Sequence, residues 1–205
     1  MTPRGRPRSF DRADALMQAM RVFWAKGYES TTLTDLQQAM GGLTAPSLYA
    51  AFGSKEALFR EVVLLYRETQ GIPLMKALTE GTTARASIEG LLQVAAATFS
   101  QPDTPRGCLL VLGAMNCMPE NQGVQDYLRK LRLLRQNLIR QRLKRGVAEG
   151  DVPRGADLTA MAVFYATVVN GLAIQARDAA SSKVLLAVVE AAMAAWDGLT
   201  SKRRA

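Results

Sequence analysis

Tyr49 and Lys55 are the two residues best suited to chemistry: a phenol hydroxyl inside one short helical run, and an ammonium at the start of the next. Both groups donate to anionic oxygen, and the free N–H groups of a helix N-terminus beside a lysine favour a phosphate. Ahead of them lie Thr32, Thr34, Thr44, Ala45, Pro46 and Ser47, all small enough to let a backbone approach a partner closely. Their hydroxyls read base edges ambiguously, and alanine can touch only a thymine methyl, so no target sequence follows. Catalytic chemistry is poorly supplied. The chain has no histidine, which excludes Ser-His-Asp and Cys-His nucleophiles and the usual histidine metal sites. Two cysteines, Cys108 and Cys117, make no disulfide framework and fit a reducing cytoplasm. They read either as a redox pair or as small buried hydrophobes. No enzyme, metal or cofactor is expected.

The elements that must hold these residues are legible. Thr32 is an N-cap with Asp35 placed to reach back to it. Leu33, Leu36 and Met40 give the helix an apolar face, and Gly41-Gly42 stops it. Thr44 caps a second helix with Pro46 in its first turn. Leu48 and Phe52 face inward, Gly53 ends it, and Ser54 caps a third helix. This is a helix-turn-helix pattern, in which the second helix enters the major groove. Behind it, Leu16, Met17, Met20, Phe23 and Trp24 form one stripe of an earlier helix opened by Asp11.

At SLYAAFGSKEALF, preceded by TTLTDLQQAM, the chain resembles the DNA-binding domain of the tetracycline-repressor (TetR) family of bacterial transcriptional regulators, over roughly residues 12–65. Ala51 stands where the family usually carries an aromatic or histidine, so no backbone contact is expected there. The resemblance implies a homodimer on a palindromic double-stranded operator, released by an unidentified small-molecule effector. It implies a dimer face on the last two helices, with Leu158, Met161, Val168 and Leu172 on one and Leu186, Val189, Met193 and Trp196 on the other; burial of those faces within one chain is the competing reading. It also implies an effector pocket in the body, for which Phe99, Leu109, Met115, Asn116, Tyr127, Phe164, Tyr165 and Asn170 are the candidates. The expected function is a dimeric, sequence-specific repressor. The alternative is an architectural DNA binder with no ligand.

The rest of the 205 residues reads as all-α, about nine helices, with no β alternation. The expected organisation is a basic arm over 1–9, a helix-turn-helix domain over 10–53, a linking helix over 54–69, and an effector-binding and dimerisation domain over 70–205. Gly71 with Pro73 and the run 101–105 read as breaks. A short helix is expected over 108–117, and the last helix is expected to run unbroken from Ser182 to Leu199. The helix over 123–148 is given an apolar stripe of Val124, Tyr127, Leu131, Leu134 and Leu138, and an outer face carrying Arg135 and Arg142 among other cations. A net charge of +8 suits a polyanion. In the arm, Arg4 and Arg6 flank Gly5; this resembles the core of an AT-hook for the minor groove and equally a generic cationic tail. The uncharged run 158–176 is barely of spanning length and carries polar residues, so a buried interface helix is expected, not a membrane span. A cytoplasmic protein, nucleoid-associated when on DNA, is the expectation.

Overall fold

The computed structural model describes residues 11–201; Arg4, Arg6 and the rest of the arm lie outside them. Among the described residues every regular element is helical, with eleven α-helical segments, nine of them seven residues or longer. The first four are α1 (Arg12–Ser30), α2 (Leu33–Ala39), α3 (Ala45–Phe52) and α4 (Lys55–Tyr66). Their caps are those that local chemistry dictates. Asp11 accepts from the amides of Ala13 and Asp14. Thr32 and Asp35 form a reciprocal capping box, and Thr44 and Ser54 cap α3 and α4. The head closes on aromatic packing: Phe23 meets Phe59 edge-on at 5.0 Å, and Trp24 meets Tyr66 edge-on at 4.9 Å.

Gly27 interrupts α1 with φ 78° and ψ 170°, a conformation that glycine adopts at little cost. The interruption leaves the preceding carbonyls short of helical donors. Arg177 supplies them, with Nη1 donating to Ala25 O and Nη2 to Trp24 O, both at 2.6 Å. A cation at a helix C-terminus also complements the macrodipole. The next residue ties the head again, since the Tyr28 N–H donates to Gly113 O at 2.7 Å.

The expected break at Gly71 and Pro73 does not occur. A π-helical turn, Arg67–Gly71, carries α4 directly into α5 (Ile72–Glu80). Gly71 and Ile72 both keep right-handed helical angles. The wide turn shifts the hydrogen-bond register so that Pro73 falls in the first turn of α5, where its missing N–H is no loss.

The body continues through α6 (Ala84–Phe99), α7 (Leu109–Leu112), a 3-10 turn (Pro119–Asn121), α8 (Gln122–Glu149), α9 (Leu158–Arg177), α10 (Ser182–Ala194) and α11 (Trp196–Thr200). The helix expected over 108–117 is only four residues long. Beyond it, Gly113 O is taken by Tyr28 of the head. The last helix is also shorter than expected, because Ala195 at ψ −10° turns the chain and delivers Trp196 into the core, 6.0 Å from Tyr165.

α8 departs most from expectation. Its buried stripe is Val124, Leu128, Arg135, Ile139, Arg142 and Leu143, while Leu134 is 44% exposed. Arg135 and Arg142, expected outside, are inside. The apolar residues on both sides of the helix left its rotation open, and packing against α6 and α9 settled it. Arg142 is satisfied there by Ser87 Oγ at 2.7 Å, Gly81 O at 3.3 Å and Glu149 at 3.4 Å. α9 is the one helix among the described residues long and apolar enough to cross a membrane. Its Met161, Tyr165, Val169, Leu172 and Ala176 instead pack inside the protein.

Candidate nucleic-acid interface and interior cavity

α2 and α3 meet through Gly41 and Gly42, both at φ 79° with open space where a side chain would stand. Gln37 braces the turn, its Nε2 donating to Leu43 O at 3.0 Å. Leu36, Leu48 and Phe52 anchor the pair to the core. Thr32, Thr34, Thr44, Pro46, Ser47 and Tyr49 are exposed, and Ala45 is half-buried. Thr44 Oγ1 and Ser47 Oγ hydrogen-bond each other at 2.9 Å, so one hydroxyl fixes the other's orientation toward a partner. Tyr49 is 44% exposed and so stands outside the core.

Lys55 is half-buried. Its ammonium lies 4.5 Å from the centre of the Tyr28 ring. Desolvation holds its pKa below the usual lysine value, opposed by the charge of Glu29. Reaching a phosphate would cost this cation–π contact, about 0.5–1 kcal/mol at a partly exposed site. A charge-assisted hydrogen bond to phosphate returns roughly 1.5–3 kcal/mol, so the swing is favourable when an anion is present.

Two ion pairs fix the frame of the head. Lys26 Nζ meets Asp35 at 2.6 Å, joining α1 to the start of α2. The Lys26 hydrogen bond, with those from Thr32, pulls the Asp35 carboxyl from 3.8 down to about 2. Arg12 Nη2 meets Glu61 at 2.8 Å, and its guanidinium covers the Phe52 ring at 4.5 Å, so the start of α1 holds the end of α3. Sequence reasoning missed both pairs, because nothing local signals a contact between separate helices, nine residues apart in one pair and 49 in the other.

The body holds a half-open cavity of about 360 Å³, with exposed Leu64, Ile72 and Leu134 among its lining. Its walls are the end of α4, the π turn, α5, α6 and α8, with Leu74, Met75, Phe99, Leu131 and Leu138 supplying apolar surface. Tyr66, Cys108 and Arg135 bring the inner polar groups. Burial, then the neighbouring Cys108, pushes the Tyr66 phenol well above its ordinary value. Of the eight pocket candidates, Phe99 alone lines this cavity. Leu109 and Tyr165 are fully buried core, and burial raises the Tyr165 phenol to about 12. Met115 and Asn116 are exposed on the loop after α7. Tyr127 lies under Arg60 at 4.6 Å, and Phe164 packs edge-on to Tyr165. Asn170 acts at one remove, accepting from Arg135 Nη2. The cavity lies against the π turn, α5 and α8, with no residue of α9 in its lining. Cys108 is buried, whereas Cys117 is half-buried beside Glu29, and burial and then that carboxylate raise its thiol.

The dimer candidates are also redistributed. Met161, Leu172, Val189, Met193 and Trp196 are spent in the protomer's own core; Leu158 and Val168 are half-buried and Leu186 is exposed. The opposite faces of α9 and α10 remain open and uncharged: Val163, Thr167 and Ile174 on one, Val184, Ala187, Val188 and Ala191 on the other. The strongest apolar stripe of each helix went to the interior, which the sequence does not distinguish from an interface.

Comparison with known proteins places this geometry. Residues 15–62 match the family model described as bacterial regulatory proteins, tetR family. Residues 84–196 match the tetracyclin repressor-like C-terminal domain. The HTH-type transcriptional repressor ComR of Escherichia coli (strain K12) is 32% identical over 96% of this chain and 93% of its own. A second repressor of that organism, BdcR, is 31% identical over 93% of this chain and 90% of its own. Among solved structures, a cysteine mutant of the TetR family transcriptional regulator CifR, complexed with 26-bp double-strand operator DNA, is 46% identical. It covers 93% of this chain and all of its own (100%), with a TM-score of 0.90.

Proposed function

Because this chain belongs to the tetR family of bacterial regulatory proteins, we propose that it acts as a homodimeric repressor, holding a palindromic operator until a small molecule enters the body cavity. It is a sequence-specific DNA-binding transcriptional regulator and not an enzyme. The observation that carries this is the exposed face of α3 on a rigid head, in a chain whose relative is seen on operator DNA. Thr34, Thr44, Ala45, Pro46 and Ser47 would meet base edges. Tyr49 and Lys55 would meet phosphate, with the arm of Arg4 and Arg6 in the flanking groove.

The head would span residues 10–53, α4 would link it over 54–69, and the body would follow over 70–205. The open faces of α9 and α10 suit a four-helix bundle across a two-fold axis, with Val163, Ile174, Val184 and Val188 each at least 38% exposed in the single chain. An effector in the cavity would press on Leu64 and Tyr66 at the end of α4, the helix that also carries Lys55. It can shift operator binding only by its differential affinity for the two states, about 1–3 kcal/mol. The setting would be the bacterial cytoplasm, on the nucleoid when DNA-bound. Sequencing the DNA retained by the purified protein from a random pool tests the reading. Recovery of one palindrome, with half-sites about one helical turn apart, supports it; recovery of unselected sequence sinks it.

A further inference from the structure

Arg135 is an incomplete ion pair at the wall of the cavity. It is 7% exposed, and among the described residues no carboxylate lies within ion-pair distance of it. Its Nη2 donates to Asn170 Oδ1, while its buried Nε has no acceptor among the described residues. The other interior arginine of α8 shows what completion looks like. Arg142 has Glu149 as counter-charge, and its Nε is taken up by Ser87 Oγ at 2.7 Å. Nor is relief available from nearby: Arg132, one turn back on α8, adds a like charge. A buried guanidinium without a counter-ion is costly, and folded proteins pair such groups or leave them for a ligand.

The surroundings define the ligand. Leu74, Phe99, Leu131 and Leu138 give the cavity apolar walls that suit a hydrocarbon body, while Arg67, Glu68 and Gln70 of the π turn add polar groups to its lining. The cavity of about 360 Å³ is of ligand size and holds roughly a dozen water volumes. A guanidinium matches a carboxylate better than any other common monoanion, through paired N–H donors. We propose that the effector is a small hydrophobic carboxylic acid, its carboxylate on Arg135 and its hydrocarbon among the leucines and Phe99. This rests on the reading of the cavity as the effector site.

The test uses the full-length protein and three acid–amide pairs, hexanoate, octanoate and 3-phenylpropanoate with their primary amides, titrated by calorimetry. Each acid and its amide share a shape and differ in charge. The acids are expected to bind about tenfold or more tighter than the amides. Arg135→Gln removes that preference while leaving amide affinity unchanged, and Arg135→Lys retains part of it. Equal affinity of acid and amide for the unaltered protein overturns the proposal, and needs no variant to fold. So does failure of all three acids to bind, or an Arg135→Gln protein that still prefers acids. Operator affinity measured alongside separates the two layers. Acids that bind without weakening operator binding leave the ligand class standing and remove the effector reading. Amides that bind equally well and release the operator do the reverse.

Discussion

Arg177→Ala should loosen the head from the body. The side chain leaves α9 and gives two 2.6 Å hydrogen bonds to the carbonyls of Trp24 and Ala25, freed by the interruption of α1 at Gly27. Hydrogen bonds from a charged donor contribute roughly 1.5–3 kcal/mol each. One contact is exposed and the other partly buried, so screening lowers the sum to about 3 kcal/mol. For a chain of this size that corresponds to a fall of about 6–12 °C in melting temperature. Arg177→Lys keeps one charged donor without the fork, so about half the loss should return. Differential scanning calorimetry of the three proteins, at matched concentration, gives the numbers. Operator affinity by fluorescence anisotropy should fall too, because the two heads are then less fixed in their spacing. An Arg177→Ala protein melting within about 1 °C of the original would refute the clasp.

Tyr49→Phe and Lys55→Ala should each weaken binding to operator and to random duplex alike, whereas Ser47→Ala should change sequence preference; binding-site selection with each variant checks the split. Val163→Lys together with Val188→Lys should yield a folded monomer by sedimentation. Charge at Met161 or Val189 should instead unfold the chain, because those side chains are interior. Asp35 has a carboxyl held at about 2, below its ordinary 3.8, so it contributes stability at neutral pH that is lost as pH falls from about 4 to 2. The melting-temperature gap between the original protein and Asp35→Asn should therefore be full at pH 7 and close across that window.

Local chemistry made the head readable. Asp11, Thr32, Thr44 and Ser54 each cap the helix their sequence setting suggests, since a cap is decided within three residues. Rotation of α8 was not readable. Leucines at 131, 133, 134 and 138 offer two faces of similar apolarity, and only packing chose between them. Its spacing did hold a signal: Arg135 stands seven residues after Leu128 and four before Ile139, on the stripe that became buried. The lining of the cavity was not readable for a related reason. Pro73 read as a break, whereas a π turn absorbed it and kept α4 and α5 on one path along the cavity wall. The proposed dimer face was hidden because interior and interface would draw on the same kind of apolar residues of α9 and α10.

The most direct test of sequence-specific regulation is a ratio of affinities. The selected palindrome and a shuffled duplex of equal length and composition are titrated with the dimer by fluorescence anisotropy at physiological salt. The account predicts about 10³-fold or greater preference for the palindrome. Affinities within about threefold of each other would reduce the head to a sequence-blind phosphate contact, and would contradict operator recognition.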